Sequence, residues 1–219
     1  MTKSTNGGSV TGGRQVEDYQ QLTGGKGADS MSGRTFDTVN PYSGQVGARA
    51  ADAGPEDIDA AVAAARVAFE GEWGASTGFE RAALMRRPGD LVIEDAERLA
   101  RLEVNDSGKL HREMVGQMKA MGGWCHDHAG RADKIEGHSV PTPNPDYLVH
   151  TTRVPVDVVA AITPGNSPLS LLTWKLAPAL AAGCTMVVKP SEHSPIPTVV
   201  CASLLAEAGF PAGVLNVMG

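Results

Sequence analysis

The amino-acid sequence predicts an α/β fold built on a parallel sheet, and the last third of the chain carries the prediction. Apolar strands alternate there with helical segments: "VDVVAAI", a helix over 168–182, "CTMVVK", a helix over 196–208 and "GVLNVM". Near-continuous apolar strands that alternate with helices are typical of parallel βαβ units whose strands are buried on both faces. A chain of 219 residues is also long enough to bury a substantial core.

Composition argues against several classes of partner. The formal net charge of −6 gives no electrostatic attraction for nucleic acid or for an anionic membrane. Cys125, Cys184 and Cys201 are odd in number and widely separated, which favours reduced thiols in the cytoplasm. His126 and His128 do not predict a metal site, because residues two apart on a helix do not share a face. We therefore expect a cytoplasmic protein without metal, nucleic acid or membrane partners.

The first fifty residues predict an arm followed by a hairpin. Residues 1–32 are rich in Gly, Ser, Thr and Gln and have little to bury, which predicts a mobile, disordered arm. The segment "RTFDTVNPYSGQVGARA" (34–50) alternates in character and contains the turn dipeptides Asn-Pro and Ser-Gly. This pattern predicts a β-hairpin at the entrance to the fold.

Helical patterns dominate the region that follows. A helix is predicted over 55–70, because proline and acidic residues open it and apolar residues recur at helical spacing. Its predicted buried face consists of Ile58, Val62, Ala65 and Phe69. A second helix is predicted over 79–105, kinked or broken at Pro88 because an interior proline costs on the order of 3 kcal/mol. A third is predicted over 111–134, and Tyr147 to Val154 alternates as an exposed strand would.

Asn166 and Lys189 lie where two of the predicted parallel strands end, and each residue allows two interpretations. Ser167 and Pro168 predict a helix start directly after the first strand. Asn166 at that point could donate to an oxygen that acquires charge, or it could simply form a turn. Lys189 and Glu192 could hydrogen-bond ribose hydroxyls beyond the carboxyl ends of the strands, or they could be a solvated strand end. No G-x-G-x-x-G or P-loop pattern is present.

Four ordered motifs resemble the aldehyde dehydrogenase superfamily: "TPGNSPL", "WKLAPALAAG", "VVKPSE" and "AEAGFPAGVLNV". The resemblance extends back through "VNPYSGQV", "DIDAAVAAARVAF", "LARLEVNDSGK" and "AGRADKIEG", so it covers nearly everything after the arm. It implies a Rossmann-like parallel sheet with flanking helices, the N-terminal cofactor domain of such an enzyme, incomplete here, with a protruding β-hairpin. It also implies four regions: the arm at 1–32, helical elements at 33–136, an oligomerisation hairpin at 137–157 and the first βαβαβ part of the sheet at 158–219.

The resemblance assigns roles to particular residues. Asn166 would be the side-chain donor of an oxyanion hole, and Lys175 would relay protons near the active centre, unless it is an ordinary amphipathic lysine of a partly buried helix. The cofactor crevice would be lined by Ile162, Thr163, Pro164, Gly165, Lys189 and Glu192. The carboxylate of Glu192 favours NAD over NADP. The implied reaction is NAD-dependent oxidation of an aldehyde to a carboxylic acid through a cysteine thioester, by a homodimer or homotetramer.

Some residues depart from the family pattern. Gly165 and Arg131 replace tryptophans that are frequent in relatives, Ser167 replaces a frequent phenylalanine, and Pro88 interrupts a helix. The printed residues also contain neither the E-L-G-G-K-like glutamate nor the G-Q-x-C-like cysteine, and the three cysteines present are most simply core residues. The alternative hypothesis is therefore a truncated, non-catalytic fragment that binds nucleotide weakly or acts as an interaction module. An open sheet edge at "VLNVM" further predicts that the chain aggregates.

Overall fold

The structure is a computed structural model that describes residues 10–11 and 14–219. Its strands are β1 (Val10–Thr11), β2 (Arg14–Gln15), β3 (Glu17–Tyr19), β4 (Gln21–Thr23), β5 (Lys26–Ala28), β6 (Thr35–Val39), β7 (Val46–Ala51), β8 (Ser139–Val140), β9 (Val149–His150), β10 (Val158–Ile162), β11 (Thr185–Lys189) and β12 (Leu215–Val217). Its α-helices are α1 (Pro55–Glu70), α2 (Glu72–Ala75), α3 (Gly78–Glu94), α4 (Ala96–Ser107), α5 (His111–Ala129), α6 (Pro168–Ala182) and α7 (Ile196–Glu207), with a 3₁₀ turn at Ala132–Lys134.

The central sheet has the order β10-β11-β12-β4-β5, and its first three strands are parallel. This confirms the predicted α/β fold. Val187 packs with the alanines of α1 on one face of β11, whereas Met186 and Val188 belong to the main core on the other face, where α6 and α7 lie. Burial on both faces explains why the sequence of this strand is apolar without alternation.

The N-terminal segment differs from the predicted mobile arm. Residues 17–28 form three short strands: β3 pairs with β7, and the β4–β5 hairpin joins the central sheet through the antiparallel pair Leu22–Val217. Leu22 is buried in the core, and Gly24 N–H donates to Asn216 Oδ1 at 2.9 Å. The prediction is wrong for residues 14–32, because long-range pairing supplies what the polar composition lacks. Its remaining part, at 1–9 and 12–13, lies outside the described residues.

The same hairpin corrects the predicted open sheet edge. β12 is flanked by β4, so within the described chain the edges of the central sheet are β10 and β5. Ala160 and Ile162 of β10 are exposed. The apolar edge that the sequence placed at "VLNVM" therefore lies at the opposite side of the three parallel strands.

The hairpin predicted over 34–50 is confirmed as β6 and β7, which pair antiparallel. Helix α1 has the predicted bounds, but its buried face is Asp57, Ala61, Ala65 and Ala68. Of the predicted face only Ala65 is buried: Ile58 and Val62 are exposed, and Phe69 is half-buried. Small alanine side chains let the helix approach β11 closely, so the larger residues are turned outward.

Helices α3 and α4 occupy the segment predicted as one interrupted helix. The break lies at Asp95, and Pro88 is buried inside α3. The next residue, Gly89, explains why that turn stays helical: a Cβ there would lie 2.5 Å from the His126 ring and 2.9 Å from the Gly122 carbonyl oxygen. This close packing of α3 on α5 holds the proline-containing turn in place. α4 ends at Gly108, whose φ of 74° is the left-handed conformation in which helices commonly end.

Residues 137–157 contain a small antiparallel pair, β8 with β9, whose residues are all exposed. The strand predicted over Tyr147 to Val154 is therefore shorter than expected. The predicted third helix also ends early, at Ala129, before the 3₁₀ turn. No helix in the described part of the chain is both long and apolar enough to cross a membrane.

Candidate cofactor crevice and active-site residues

Two parallel strands end side by side and define the candidate site. Ile162 of β10 is the register partner of Lys189 of β11, and Thr163 N–H donates to the Lys189 carbonyl at 3.1 Å. Helix α6 begins at Pro168, directly after the loop that carries Asn166. In open α/β sheets, ligands bind in the crevice outside the carboxyl ends of parallel strands. The fold therefore brings the sequence-predicted loops 163–167 and 190–195 to the edge of the sheet where a ligand is expected.

The two loops contact each other through Gly165. Ser194 Oγ donates to the Gly165 carbonyl at 3.0 Å. A Cβ at position 165 would lie 2.9 Å from Ser194 Oγ and 3.2 Å from Ser191 Oγ. Such approaches are too close for a larger residue unless the two serine side chains rotate away or the loops move apart. The glycine is therefore matched to the two serines opposite it.

A cavity of about 570 Å³ opens beside this contact. Its lining combines both loops with the β6–β7 hairpin and the end of α4: Asp37, Thr38, Val39, Pro41, Asp106, Ser107, Gly165, Asn166, Ser191, Glu192, His193 and Ser194. Three of the predicted site residues, Gly165, Asn166 and Glu192, thus line one space. The cavity is rich in hydroxyl, carboxylate and amide groups, which suits a polar ligand.

Asn166 and the Lys189–Glu192 pair differ in how they are held. The Asn166 side chain is exposed, and its carboxamide makes no hydrogen bond to any described residue. Lys189 Nζ lies 3.2 Å from Glu192 Oε2, and both side chains are largely solvent-accessible. The pKa of the Glu192 carboxyl is lowered by its own backbone N–H and by Lys189. Glu192 is therefore a carboxylate at neutral pH and can accept hydrogen bonds from hydroxyl groups.

The remaining predicted residues lie apart from the cavity. Lys175 is exposed on α6, roughly 10 Å along the helix axis from its first residue Pro168, since a helix rises by about 1.5 Å per residue. Ile162 is 74% exposed at the end of its strand, and Pro164 is also exposed. Thr163 is buried, and its Oγ1 has no partner among the described residues. The structure therefore groups Asn166 with Glu192 but leaves Lys175 outside their cavity.

Sequence reasoning missed Asp106 and the two serines. Asp106 Oδ2 accepts a 3.0 Å hydrogen bond from Ile196 N–H at the start of α7. Burial raises the pKa of Asp106 to about 6, although the Ile196 N–H and the Thr38 hydroxyl act in the opposite direction. Asp106 lies in the last turn of an amphipathic helix, where a carboxylate is ordinary, so the sequence did not indicate this contact. The serine-rich run "PSEHSP" was the available signal for Ser191 and Ser194.

The cysteines lie in the core, as the sequence suggested. Cys125, Cys184 and Cys201 are all buried and reduced. Burial raises the pKa of Cys125 to about 11 and that of Cys201 to about 12. Neither of these two thiols is poised to form a nucleophilic thiolate at neutral pH.

The chain is an α/β protein in which a polar cavity lies where two parallel strands end and a helix starts. Open α/β sheets bind their ligands at this position. The chain belongs to the aldehyde dehydrogenase family, which it matches over residues 28–219. The resemblance stated from the four motifs is thereby confirmed.

The relatives and solved structures agree on this family. The chain is 43% identical over 204 residues to a (Z)-2-((N-methylformamido)methylene)-5-hydroxybutyrolactone dehydrogenase of Acinetobacter baylyi, covering 93% of this chain and 41% of that protein. It is 41% identical over 206 residues to aldehyde dehydrogenase family 2 member C4 of Arabidopsis thaliana, with coverages of 93% and 41%. The NAD+ complex of an aldehyde dehydrogenase from Bacillus cereus superposes with a TM-score of 0.90 at 42% identity, covering 92% of this chain and 41% of that one. The chain thus spans about two fifths of the length of these relatives.

Proposed function

We propose that this protein takes part in the NAD-dependent oxidation of an aldehyde to a carboxylic acid, and that the described residues supply the cofactor crevice and one side of the oxyanion hole. The observation that carries the proposal is the exposed, unpartnered carboxamide of Asn166 in the same cavity as Glu192. The proposal assigns the nucleophile and the general base to parts of the relatives' length that this chain does not span.

Asn166 is suited to stabilise charge that develops on the aldehyde oxygen. Its loop is held between the end of β10 and the start of α6, so the carboxamide needs little reorganisation to meet an oxyanion. One such preorganised donor is worth roughly 3 kcal/mol in a transition state. In a preparation that turns over an aldehyde, Asn166→Ala is therefore expected to lower kcat by about 10²- to 10³-fold with a smaller change in KM.

Lys189 and Glu192 are suited to bind the ribose of the cofactor. Both extend from the carboxyl end of β11 into solvent, and they are linked to each other at 3.2 Å. A carboxylate can accept hydrogen bonds from two ribose hydroxyls but repels a 2′-phosphate, which favours NAD over NADP. NAD, when bound, supplies the hydride acceptor. Ile162, Thr163, Pro164 and Gly165 would line the crevice beside it.

Cofactor binding tests this assignment directly. We expect isothermal titration calorimetry of the chain to show tighter binding of NAD than of NADP. Glu192→Gln and Lys189→Met should each weaken NAD binding by about tenfold, because each removes a hydrogen bond to a charged group. Matched controls are Glu70→Gln and Lys119→Met, which alter exposed residues on α1 and α5. Equal affinity for both cofactors, unchanged by the Lys189 and Glu192 variants, would contradict the assignment.

The candidate of a non-catalytic nucleotide-binding fragment also has an observation in its favour. The thiols of Cys125 and Cys201 are buried and their pKa values are raised, so neither of these two groups is suited to act as the nucleophile. Lys175 does not line the cavity, so a proton relay through Lys175 would need other groups between it and the cavity. NADH production from a panel of aldehydes separates the candidates: turnover supports the enzyme, and NAD binding without turnover supports the fragment.

Residues 137–157 are proposed to contribute to an interface between copies of the longer protein. Several apolar side chains of this segment are exposed, including Leu148 at 83%, Val154 at 74% and Val156 at 79%. Exposed apolar side chains grouped in one short segment favour an interaction surface. Light scattering of the longer protein should show that Leu148→Lys shifts a homodimer or homotetramer toward monomer. An unchanged molar mass would contradict the proposal.

A further inference from the structure

A buried carboxylate that the proposed chemistry does not use lies near the end of α4. Glu103 is fully buried, at 0% exposure, and neither of its carboxylate oxygens completes a hydrogen bond of normal geometry with any described residue. Burial of an ionised carboxylate costs several kcal/mol unless nearby charges or dipoles compensate. The groups that face the Glu103 carboxylate must therefore supply this compensation.

Two groups near the Asn166 loop face this carboxylate. One is the N–H of Leu169 in the first turn of α6, and the other is the ammonium of Lys109. Burial raises the pKa of Glu103, while the Leu169 N–H and the positive charge of Lys109 act against that rise. The N-terminus of a helix carries partial positive charge, so a carboxylate beneath it is favoured electrostatically. The positive end of α6 and the Lys109 ammonium thus compensate part of the cost of burying the Glu103 carboxylate next to the start of α6.

Lys109 holds the same loop from the other side. Its Nζ donates to Ser167 Oγ, and Ser167 is the residue that directly follows Asn166. Ser167 occupies the N-cap position of α6 but makes no cap hydrogen bond with its own side chain, so its hydroxyl is free to accept from Lys109. Gly108, with a φ of 74°, reverses the chain after α4 and directs Lys109 toward the loop.

We propose that Glu103 and Lys109 are positioning residues for Asn166. The Glu103 carboxylate stabilises the first turn of α6, and the Lys109 ammonium holds Ser167. The backbone next to Asn166 is thereby fixed, while the Asn166 carboxamide stays exposed. The inference rests on the proposed function only for the role of Asn166. The positioning itself is a property of the described chain and is measurable without cofactor or aldehyde.

Nuclear magnetic resonance of the ¹⁵N-labelled chain tests the proposal. The side-chain amide of Asn166 is assigned from its disappearance in Asn166→Asp. We expect Lys109→Met to shift and broaden this resonance, Ser167→Ala to produce the same change, and the double variant to add nothing further. Lys109→Arg should restore the wild-type position, because an arginine can donate to the same hydroxyl. Glu103→Gln should perturb the resonance in the same way.

Internal and matched controls separate positioning from general loosening. The Asn216 side-chain amide, which donates to the carbonyls of Met186 and Gly213, should stay in place in every variant. Lys119→Met, an exposed substitution on α5, should leave Asn166 unchanged. If Glu103→Gln fails to fold, the half-buried Lys109 decides the question. An Asn166 resonance that does not move in Lys109→Met, while the Ser167 and Leu169 backbone amides do, overturns the proposal.

The outcome is independent of the proposed function. Loss of the Asn166 signature in the variants, together with absent NAD binding in the wild type, would support the positioning role and contradict the cofactor assignment. Intact NAD binding with an unmoved Asn166 resonance would support the cofactor assignment and contradict the positioning role.

Discussion

Ser194 Oγ donates a 3.0 Å hydrogen bond to the carbonyl of Gly165 and thereby joins the loops that follow the two neighbouring strands β10 and β11. Because these loops carry Asn166 and Glu192, the contact fixes the distance across the candidate crevice. In this arrangement the two serine hydroxyls occupy the space that a side chain at position 165 would need.

Substitution at this contact should be strongly non-additive. Ser194→Ala should lower the free energy of unfolding by about 1 kcal/mol through loss of one neutral hydrogen bond. Gly165→Ala should cost about 1–3 kcal/mol, because its Cβ would lie 2.9 Å from Ser194 Oγ. The double variant should be more stable than the two losses predict, since Ser194→Ala makes space for the new methyl group.

Urea unfolding measures these differences, with Gly123→Ala as the control. No atom lies within 4 Å of a Cβ at position 123, so that substitution in α5 should stabilise the chain by about 0.5–1 kcal/mol. Strict additivity of the Gly165 and Ser194 effects would show that the two residues do not interact.

Asp57 should be a major determinant of stability at neutral pH. Its carboxylate accepts from Gln21 Nε2 at 2.6 Å, Gly54 N–H at 2.8 Å and Met31 N–H at 3.0 Å, which ties the N-terminal strands to α1. Asp57→Ala removes the acceptor of the buried Gly54 and Gln21 donors and of the Met31 N–H, so we expect a loss of about 3–5 kcal/mol. Asp59→Ala, on the exposed face of the same helix, should change stability by no more than about 0.5 kcal/mol.

The pH dependence of this contribution has a definite sign. Burial alone would raise the pKa of Asp57, but the N–H groups of Gly54 and Met31, then Gln21, outweigh it and leave the pKa below its ordinary value of 3.8. Its stabilisation is therefore complete above pH 3.8 and is lost as the pH falls through the lowered pKa. Urea midpoints of wild type and Asp57→Ala should converge in acid, and a constant gap would count against this account.

Asp106 should act in the opposite direction. Its pKa is raised from 3.8 to about 6 in the folded chain, so the folded state binds the proton more tightly than the unfolded state. Protonated Asp106 therefore contributes up to about 3 kcal/mol to the free energy of unfolding. This contribution is complete below pH 3.8 and is lost as the pH rises through about 6. Asp106→Asn should remove this slope. Superimposable urea-midpoint profiles of the two proteins between pH 4 and pH 7 would refute the assignment.

The exposed edge of β10 should drive self-association of the 219-residue chain. Unpaired backbone groups on an edge strand template pairing with another chain, and Ala160 and Ile162 add exposed apolar surface there. Sedimentation velocity should show mass that rises with concentration, and Ala160→Lys should suppress it. Ala63→Lys, on the exposed face of α1, should have no effect. A monomer at all concentrations would argue against edge pairing.

Local patterns determined the parallel core of this protein. The bounds of α6, from Pro168 to Ala182, follow directly from a proline at the start and Gly183 at the end, and both signals act within a few residues of the helix. The apolar runs of β10, β11 and β12 predicted burial on both faces, because no other environment suits uninterrupted apolar strands. The ordered motifs around Asn166, Lys189 and Glu192 likewise indicated the family from sequence alone.

Tertiary structure decided the features that depend on partners distant in sequence. Leu22 joins β12 across almost the whole chain, Pro88 stays helical because Gly89 packs on α5, and Asp106 reaches α7 from inside an unremarkable helical pattern. None of these contacts leaves a periodic signal, since each is set by where two separate elements meet. The sequence by itself therefore determined the parallel strands, the helices between them and the family. Only the packing of distant elements decided how the N-terminal strands pair and which polar groups enclose the crevice.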